Sequence, residues 1–153
     1  MAKKKKTLPK NFGEIIEHKD IENLKKVFDT CELDARGGYG KSTALSFYNI
    51  PGELVRWLVE NGADIDAVDT YERTALHNHA MARSGDLTIF LELGANVNAE
   101  DYSGNTALHI ASGSSFNVAS VKKLIEYGAK TDALKFRVIV PKLYRFNYSI
   151  NQG

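Results

Sequence analysis

An all-helical solenoid of stacked helix-turn-helix units joined by short β-hairpin turns is the fold class the sequence predicts, and three observations predict it. The triplet T-A-L begins at Thr43, Thr74 and Thr106, at intervals of 31 and 32 residues. The pair G-A begins at Gly62, Gly94 and Gly128, at intervals of 32 and 34 residues. After each pair comes an alternating stretch that reads as a hairpin strand: Asp64-Ile65-Asp66-Ala67, Asn96-Val97-Asn98-Ala99 and Lys130-Thr131-Asp132-Ala133. Two independent markers with one period define a repeat, and a repeat of this length is too short to bury its apolar side alone.

The unit from Asp101 to Ala133 shows the design. Asp101 and Gly104 make a turn, since Asp bonds the backbone two residues on and Gly accepts positive φ. Thr106 starts a first helix with Ala107, Leu108, Ile110 and Ala111, and Ser112 to Ser115 break it. Asn117 is the expected N-cap of a second helix, whose Val118, Val121, Leu124 and Ile125 recur at three- and four-residue spacing, and Gly128 is its stop signal. Neither helix is long enough to be stable alone, so each unit needs its neighbours.

With the residues T-A-L-H-N-H-A at 74–80, T-A-L-H-I-A at 106–111, and the endings G-A-D-I-D-A and G-A-N-V-N-A, the chain resembles the ankyrin repeat family. Its unit is a β-turn plus two helices of about 33 residues with a T-P-L-H-x-A core. The resemblance implies a repeat domain over residues 11–134, a concave binding face, and the binding of a protein partner.

In chain order, residues 1–10 carry five lysines and no acid and are expected to be a disordered basic tail. Residues 11–36 read as a capping repeat, with Phe12, Ile15 and Ile16 on one helix and Ile21, Leu24, Val27 and Phe28 on the next. Cys31 to Arg36 replaces the usual ending, and Cys31 reads as a buried small residue. Residues 37–68 form the second repeat. Within this region, A-R-G-G-Y-G-K-S at 35–42 fits a loose phosphate-loop pattern. A phosphate cradle needs a buried strand before the loop and a helix after it. The reading is set aside on three grounds: no strand is expected over 28–33, no later strand ends in a magnesium-binding Asp, and the segment aligns with the repeat turns at 69–73 and 101–105. Pro51 suits the first turn of the next helix, with Leu54, Val55, Trp57, Leu58 and Val59, and Trp57 is assigned to the core. Ser46 stands where the family has His, and Phe47-Tyr48 is bulkier than usual.

Residues 69–100 form the third repeat. Its His77 matches the family's helix-start histidine, which implies a structural bond to the neighbouring Thr. His79 takes the place of a small residue. Residues two apart on a helix diverge, and no third ligand lies at metal spacing, so no metal is expected. The second helix here is short, with fraying expected near 82–85. Residues 101–134 form the fourth repeat. Residues 135–153 are a basic, aromatic extension that departs from the pattern. Three readings stay open for it: a cap or loose extension on the last apolar face, which is preferred, pairing with another chain, or a disordered end.

No catalytic constellation emerges, and neither an enzymatic activity, a small-molecule substrate nor a cofactor is expected. The single cysteine excludes an internal disulfide, and no apolar run is long enough to cross a bilayer. The chain is therefore expected to be a cytoplasmic monomer. Nine of its 20 basic residues lie at the two ends, which leaves 11 against all 19 acidic residues in the body, a net of −8. Such a body favours a protein partner with a basic patch and repels nucleic acid from the repeats.

The resemblance places the residues after each hairpin on the concave face. Carried onto this chain these are Tyr39, Gly40 and Ser42; Thr70, Tyr71 and Arg73; and Tyr102, Ser103 and Asn105, with Arg36, Val68 and Glu100 flanking. A row of Tyr with Arg73 is the composition of interface hot spots, where one truncation costs about 2 kcal/mol or more. An adaptor and an inhibitor or immunity-type protein are equally compatible. The alternative function is binding of an anionic surface, nucleic acid or membrane, through the basic termini.

Overall fold

The computed structural model describes residues 3–82, 86–113 and 117–131. Strand β1 (Lys5–Thr7) leads into helices α1 (Phe12–Glu17) and α2 (Ile21–Thr30), and then into strands β2 (Cys31–Gly37) and β3 (Ser42–Thr43). A single 3₁₀ turn (Ala44–Ser46) and helices α3 (Gly52–Glu60), α4 (Ala75–Met81), α5 (Thr88–Glu92), α6 (Ala107–Ala111) and α7 (Val118–Glu126) complete the described elements.

The elements stack in two rows. The 3₁₀ turn packs on α4 and α4 on α6, while α2 packs on α3 and α3 on α5. Between the rows runs a strip of buried side chains, Leu24, Leu45, Leu54, Leu58, Leu76, Phe90, Leu108 and Leu124, each contributed by one unit to a core shared with the next. Local signals set the helix ends. Asp20 Oδ1 accepts from Asn23 N at 3.1 Å to start α2, and Asn117 Oδ1 accepts from Ser120 N at 3.1 Å to start α7. Gly62, Gly94 and Gly128 take φ of 99°, 86° and 85° after the outer helices, a conformation open to glycine at no steric cost. Trp57 is half-buried and packs against Phe28 at 6.1 Å, as a core residue does.

Four features differ from the sequence expectation. The solenoid is not purely helical, because β1, β2 and β3 form a three-stranded sheet, with β1 parallel and β3 antiparallel to β2. The expected disordered tail supplies its edge strand. Leu8 N donates to Arg36 O at 3.0 Å, Lys4 Nζ reaches Phe28 O at 2.7 Å, and Leu8 is buried. The reason is backbone pairing: the chain leaves α2 extended and exposes a row of N–H and C=O groups, which the tail satisfies while its lysines stay in water.

The second difference is β2 itself, a strand in front of the Gly38–Lys41 turn where the phosphate-loop argument expected none. That turn leads into β3 and one 3₁₀ turn, so no helix N-terminus is available for phosphates. Third, the stretches 64–67 and 96–99 are turns rather than hairpin strands. Asp64 Oδ1 accepts from Asp66 N at 3.0 Å and Asn96 Oδ1 from Asn98 N at 3.1 Å, and these side-chain bonds take the place of a strand ladder. They join a line along the solenoid, in which Asp34 Oδ1 accepts from Asp64 N (3.1 Å), Asp66 Oδ1 from Asn96 N (2.9 Å) and Asn98 Oδ1 from Lys130 N (2.8 Å). Fourth, the first helix of the second unit is reduced to the 3₁₀ turn. The fraying expected near 82–85 falls mostly on residues 83–85, and these, the end of the third alternating stretch (132–133) and the C-terminal extension (135–153) lie outside the described residues.

Candidate functional site

The turns that precede the inner row share one construction. Asp69 Oδ1 accepts from Tyr71 N at 2.8 Å and Arg73 N at 3.0 Å, and Asp101 Oδ1 accepts from Ser103 N and Asn105 N, both at 2.9 Å. Three residues after each Asp the backbone enters the left-handed region, with φ of 58° at Glu72 and 69° at Gly104. Lys41 does the same at 51° in the second unit, although Gly38 stands there in the Asp position. In that unit the tip is held differently: the Arg36 guanidinium donates to the carbonyls of Lys41 at 3.1 Å and of Val68. Successive tips are tied together by Thr70 N to Gly40 O at 2.9 Å and Tyr102 N to Tyr71 O at 3.0 Å. The tips are therefore one hydrogen-bonded row.

This row presents the tyrosines unequally. Tyr39 is 95% exposed and Tyr102 81%, the largest apolar surfaces the tips offer, while Tyr71 is 45% exposed. Tyr39 and Tyr102 occupy the same turn position, and Tyr71 sits one position later. A hydrogen bond with the Tyr39 side chain, together with its charge, pushes the Tyr71 phenol above its usual range. The Arg73 guanidinium lies 5.4 Å from the centre of the Tyr71 ring, and its Nε is 3.8 Å from Asp101 Oδ2, an ion pair without a hydrogen bond. Burial works to raise the Asp101 carboxyl, but the bonds from Asn105 and Ser103 outweigh it and hold the group below the ordinary carboxylate range.

Four of the eight expected partner-binding residues, Tyr39, Ser42, Tyr71 and Arg73, line one open cleft of about 530 Å³. Thr70, Tyr102, Ser103 and Asn105 are not among its lining residues, and Asn105 is part of the turn scaffold, its carbonyl facing His77 Nε2 at 3.0 Å. The cleft adds residues the sequence reading did not place there: Phe47, Tyr48, Asp69 and Asn78. Of these, only the Phe47-Tyr48 pair carried a sequence signal, its unusual bulk, and it follows directly on the 3₁₀ turn that stands in place of the second unit's first helix.

The histidines have separate jobs. Thr74 N donates to His77 Nδ1 at 3.2 Å, so His77 Nε2 bears the proton and donates to Asn105 O, which links α4 to the next tip. Thr106 N and His109 Nδ1 pair in the same way at 3.0 Å. In the second unit Ser46 replaces the histidine, and Thr43 Oγ1 is buried with no partner among the described residues. No group of three or more metal-type ligands occurs among the described residues, and no described helix is long and apolar enough to cross a membrane.

Comparison with known proteins agrees with this construction. A family model of ankyrin repeats, in three copies, matches residues 42–135. The chain is 38% identical over 122 residues to the B-cell lymphoma 3 protein homolog of Mus musculus, covering 74% of this chain and 27% of that protein. It is 36% identical over 83 residues to a putative ankyrin repeat protein of Rickettsia bellii, covering 52% of this chain and 34% of that one. It is also 38% identical over 85 residues to NF-kappa-B inhibitor zeta of Bos taurus, covering 50% of this chain and 12% of that one. The chain thus spans about a third or less of the curated relatives it matches. The repeat period, the threonine–histidine helix starts, the serially bonded tips and the matched family model together establish that the chain belongs to the ankyrin repeat family.

Proposed function

We propose that this chain is a non-enzymatic binding module that docks a protein partner on the face formed by its hairpin tips and inner row. The observation that carries the reading is the row itself: three tips joined by backbone hydrogen bonds hold Tyr39, Tyr71 and Tyr102 at the surface, with Arg73 stacked on Tyr71 above an open cleft. Aromatic side chains on a rigid backbone lose little entropy on binding, and Tyr and Arg dominate hot spots. Thr70, Ser103 and Asn105 extend the row beyond the cleft. The partner carries a basic patch that complements the acidic body, and the module works as a cytoplasmic monomer without a cofactor. Similarity to a protein named as an NF-kappa-B inhibitor supports an inhibitory role over a purely adaptor one.

The test is a pull-down comparing wild type with Tyr71→Ala/Arg73→Ala and with an outer-helix control, Glu60→Ala, read by quantitative mass spectrometry. A protein retained by wild type and control but lost from the double variant, at unchanged thermal midpoint, is the expected result. Equal retention by all three moves the interface away from the tips, and loss only on deleting the basic termini supports anionic-surface binding instead.

A further inference from the structure

The position five residues after the starting threonine is Tyr48, His79 and Ala111 in successive units. The two large residues face each other where the second unit lacks its first helix. From Phe47, with φ −74° and ψ 133°, the chain runs through left-handed Asn49 to Pro51 and leaves space beside α4 and α5. His79 turns into that space. It is only 6% exposed, and its Nε2 lies 3.0 Å from Leu45 O, a carbonyl the truncated helix leaves available. A carbonyl can only accept, so Nε2 carries the proton and Nδ1 is left as an acceptor. The ring stacks on Phe90 at 4.6 Å and meets Tyr48 edge-on at 6.3 Å.

His77 uses both ring nitrogens, whereas His79 makes one bond, and no partner for Nδ1 exists among the described residues. A second cleft of about 530 Å³ opens beside His79, walled by Tyr48, Ile50, Ile89 and Phe90. Lys19 and Asp86, both exposed, also line it and carry opposite charges, so the cleft favours neither an anion nor a cation. Exposed Asn49 adds a polar side chain to the same rim, and apolar walls with a few placed polar groups are the makeup of a ligand pocket.

We propose that this cleft, which shares only Tyr48 with the lining of the tip cleft, is a second binding site, and that it takes a tryptophan side chain from a protein partner. The indole enters along Tyr48 and Ile89, and its N–H donates to His79 Nδ1. An indole is a donor only and uncharged, which matches a cleft offering an acceptor and balanced charge; a carboxylate has no proton to give. The exposed Tyr48 and Asp86 leave the cleft open to solvent, so the ring can enter while still attached to a chain.

The test titrates N-acetyl-tryptophanamide into the full chain labelled with nitrogen-15, tracking the imidazole nitrogens of His79 and the backbone amides by NMR. Parallel titrations use the 1-methylindole analogue, which lacks the donor, and free indole. A saturable shift of His79 Nδ1 and of Ile50 and Ile89 amides, with the methylated analogue at least about tenfold weaker, is expected, equivalent to about 1.4 kcal/mol. His79→Phe keeps the flat ring, removes the acceptor and abolishes the difference between the two ligands; should it fail to fold, the methylated analogue on wild type still decides. The proposal is overturned by no saturable shift at millimolar ligand, by equal binding of the methylated analogue, by shifts confined to the tip cleft, or by a response to free indole alone.

Discussion

Thr43, Thr74 and Thr106 are the same residue at the same position of three units, and they differ in what their hydroxyls find. Thr74 and Thr106 Oγ1 each lie 2.9 Å from a histidine Nδ1, while Thr43, facing Ser46, has no partner among the described residues. Removing a bonded cap costs about 1 kcal/mol, whereas removing a buried, unsatisfied hydroxyl costs little or stabilises. In urea denaturation, Thr74→Val and Thr106→Val are therefore expected to lose about 1 kcal/mol each, and Thr43→Val to lose less than half of that. The same scale sets the pH response. Burial lowers the pKa of both His77 and His79 below the ordinary histidine value, against the bonds to Asn105 and Leu45 that work to raise them. The unfolded chain then binds more protons, so stability is full above about pH 6.5 and falls as pH drops toward the folded pKa values, by up to about 1.4 kcal/mol per unit for each ring. Denaturation between pH 5 and 7.5 should show His79→Phe with a shallower slope than wild type; an unchanged slope would mean that His79 is not held neutral. Of these residue-level facts, the family resemblance implied the His77 bond to its threonine and showed Ser46 in the histidine's place, while the unpartnered Thr43 hydroxyl emerged only from the structure.

At the scale of elements, the helices were legible because their signals are local: Asn117 as a cap, glycines as stops, apolar residues at helical spacing; the Asp20 cap of α2 came from the structure. The sheet was not legible, because β1 is held by backbone bonds, by side-chain bonds from Lys4 to Phe28 O and from Cys31 to Thr7 O, and by one apolar residue, Leu8, behind a lysine run that reads as solvated. Leu8 packs on Gly37, where an added Cβ would lie 2.9 Å from Leu8 Cβ. Gly37→Ala should consequently lower the thermal midpoint and raise amide exchange in β1, while Gly52→Ala, with open space around it, should not. The aspartate–asparagine line was visible as alternation but misread as strands, because period-two alternation fits both a strand and successive side-chain turns. Asp66→Ala and Asn98→Ala each remove one link between units and are expected to cost about 1 kcal/mol in denaturant unfolding. A change below about 0.3 kcal/mol in both, on the order of measurement error, would show that the line does not couple the units.

For the whole molecule, the shared apolar strip makes each unit's stability depend on its neighbours, and the rigid row of tips is its consequence at the surface. Of the eight residues that the family resemblance assigned to the face, Tyr39, Ser42, Tyr71 and Arg73 line one cleft. Phe47, Tyr48 and Asn78 were not legible as part of it, because their place in the cleft depends on the second unit's helix shrinking to one turn, a tertiary outcome of an extended run ending in Pro51. With a net of −8 on the body, association with a basic partner should slow as salt rises while dissociation changes little. The most direct measurement of the docking face is photo-crosslinking with p-benzoylphenylalanine placed at Tyr39, at Tyr102, or at Glu60 on the outer row. A common partner crosslinked from Tyr39 and Tyr102 but not from Glu60 is the predicted result; crosslinking from Glu60 alone would contradict the account.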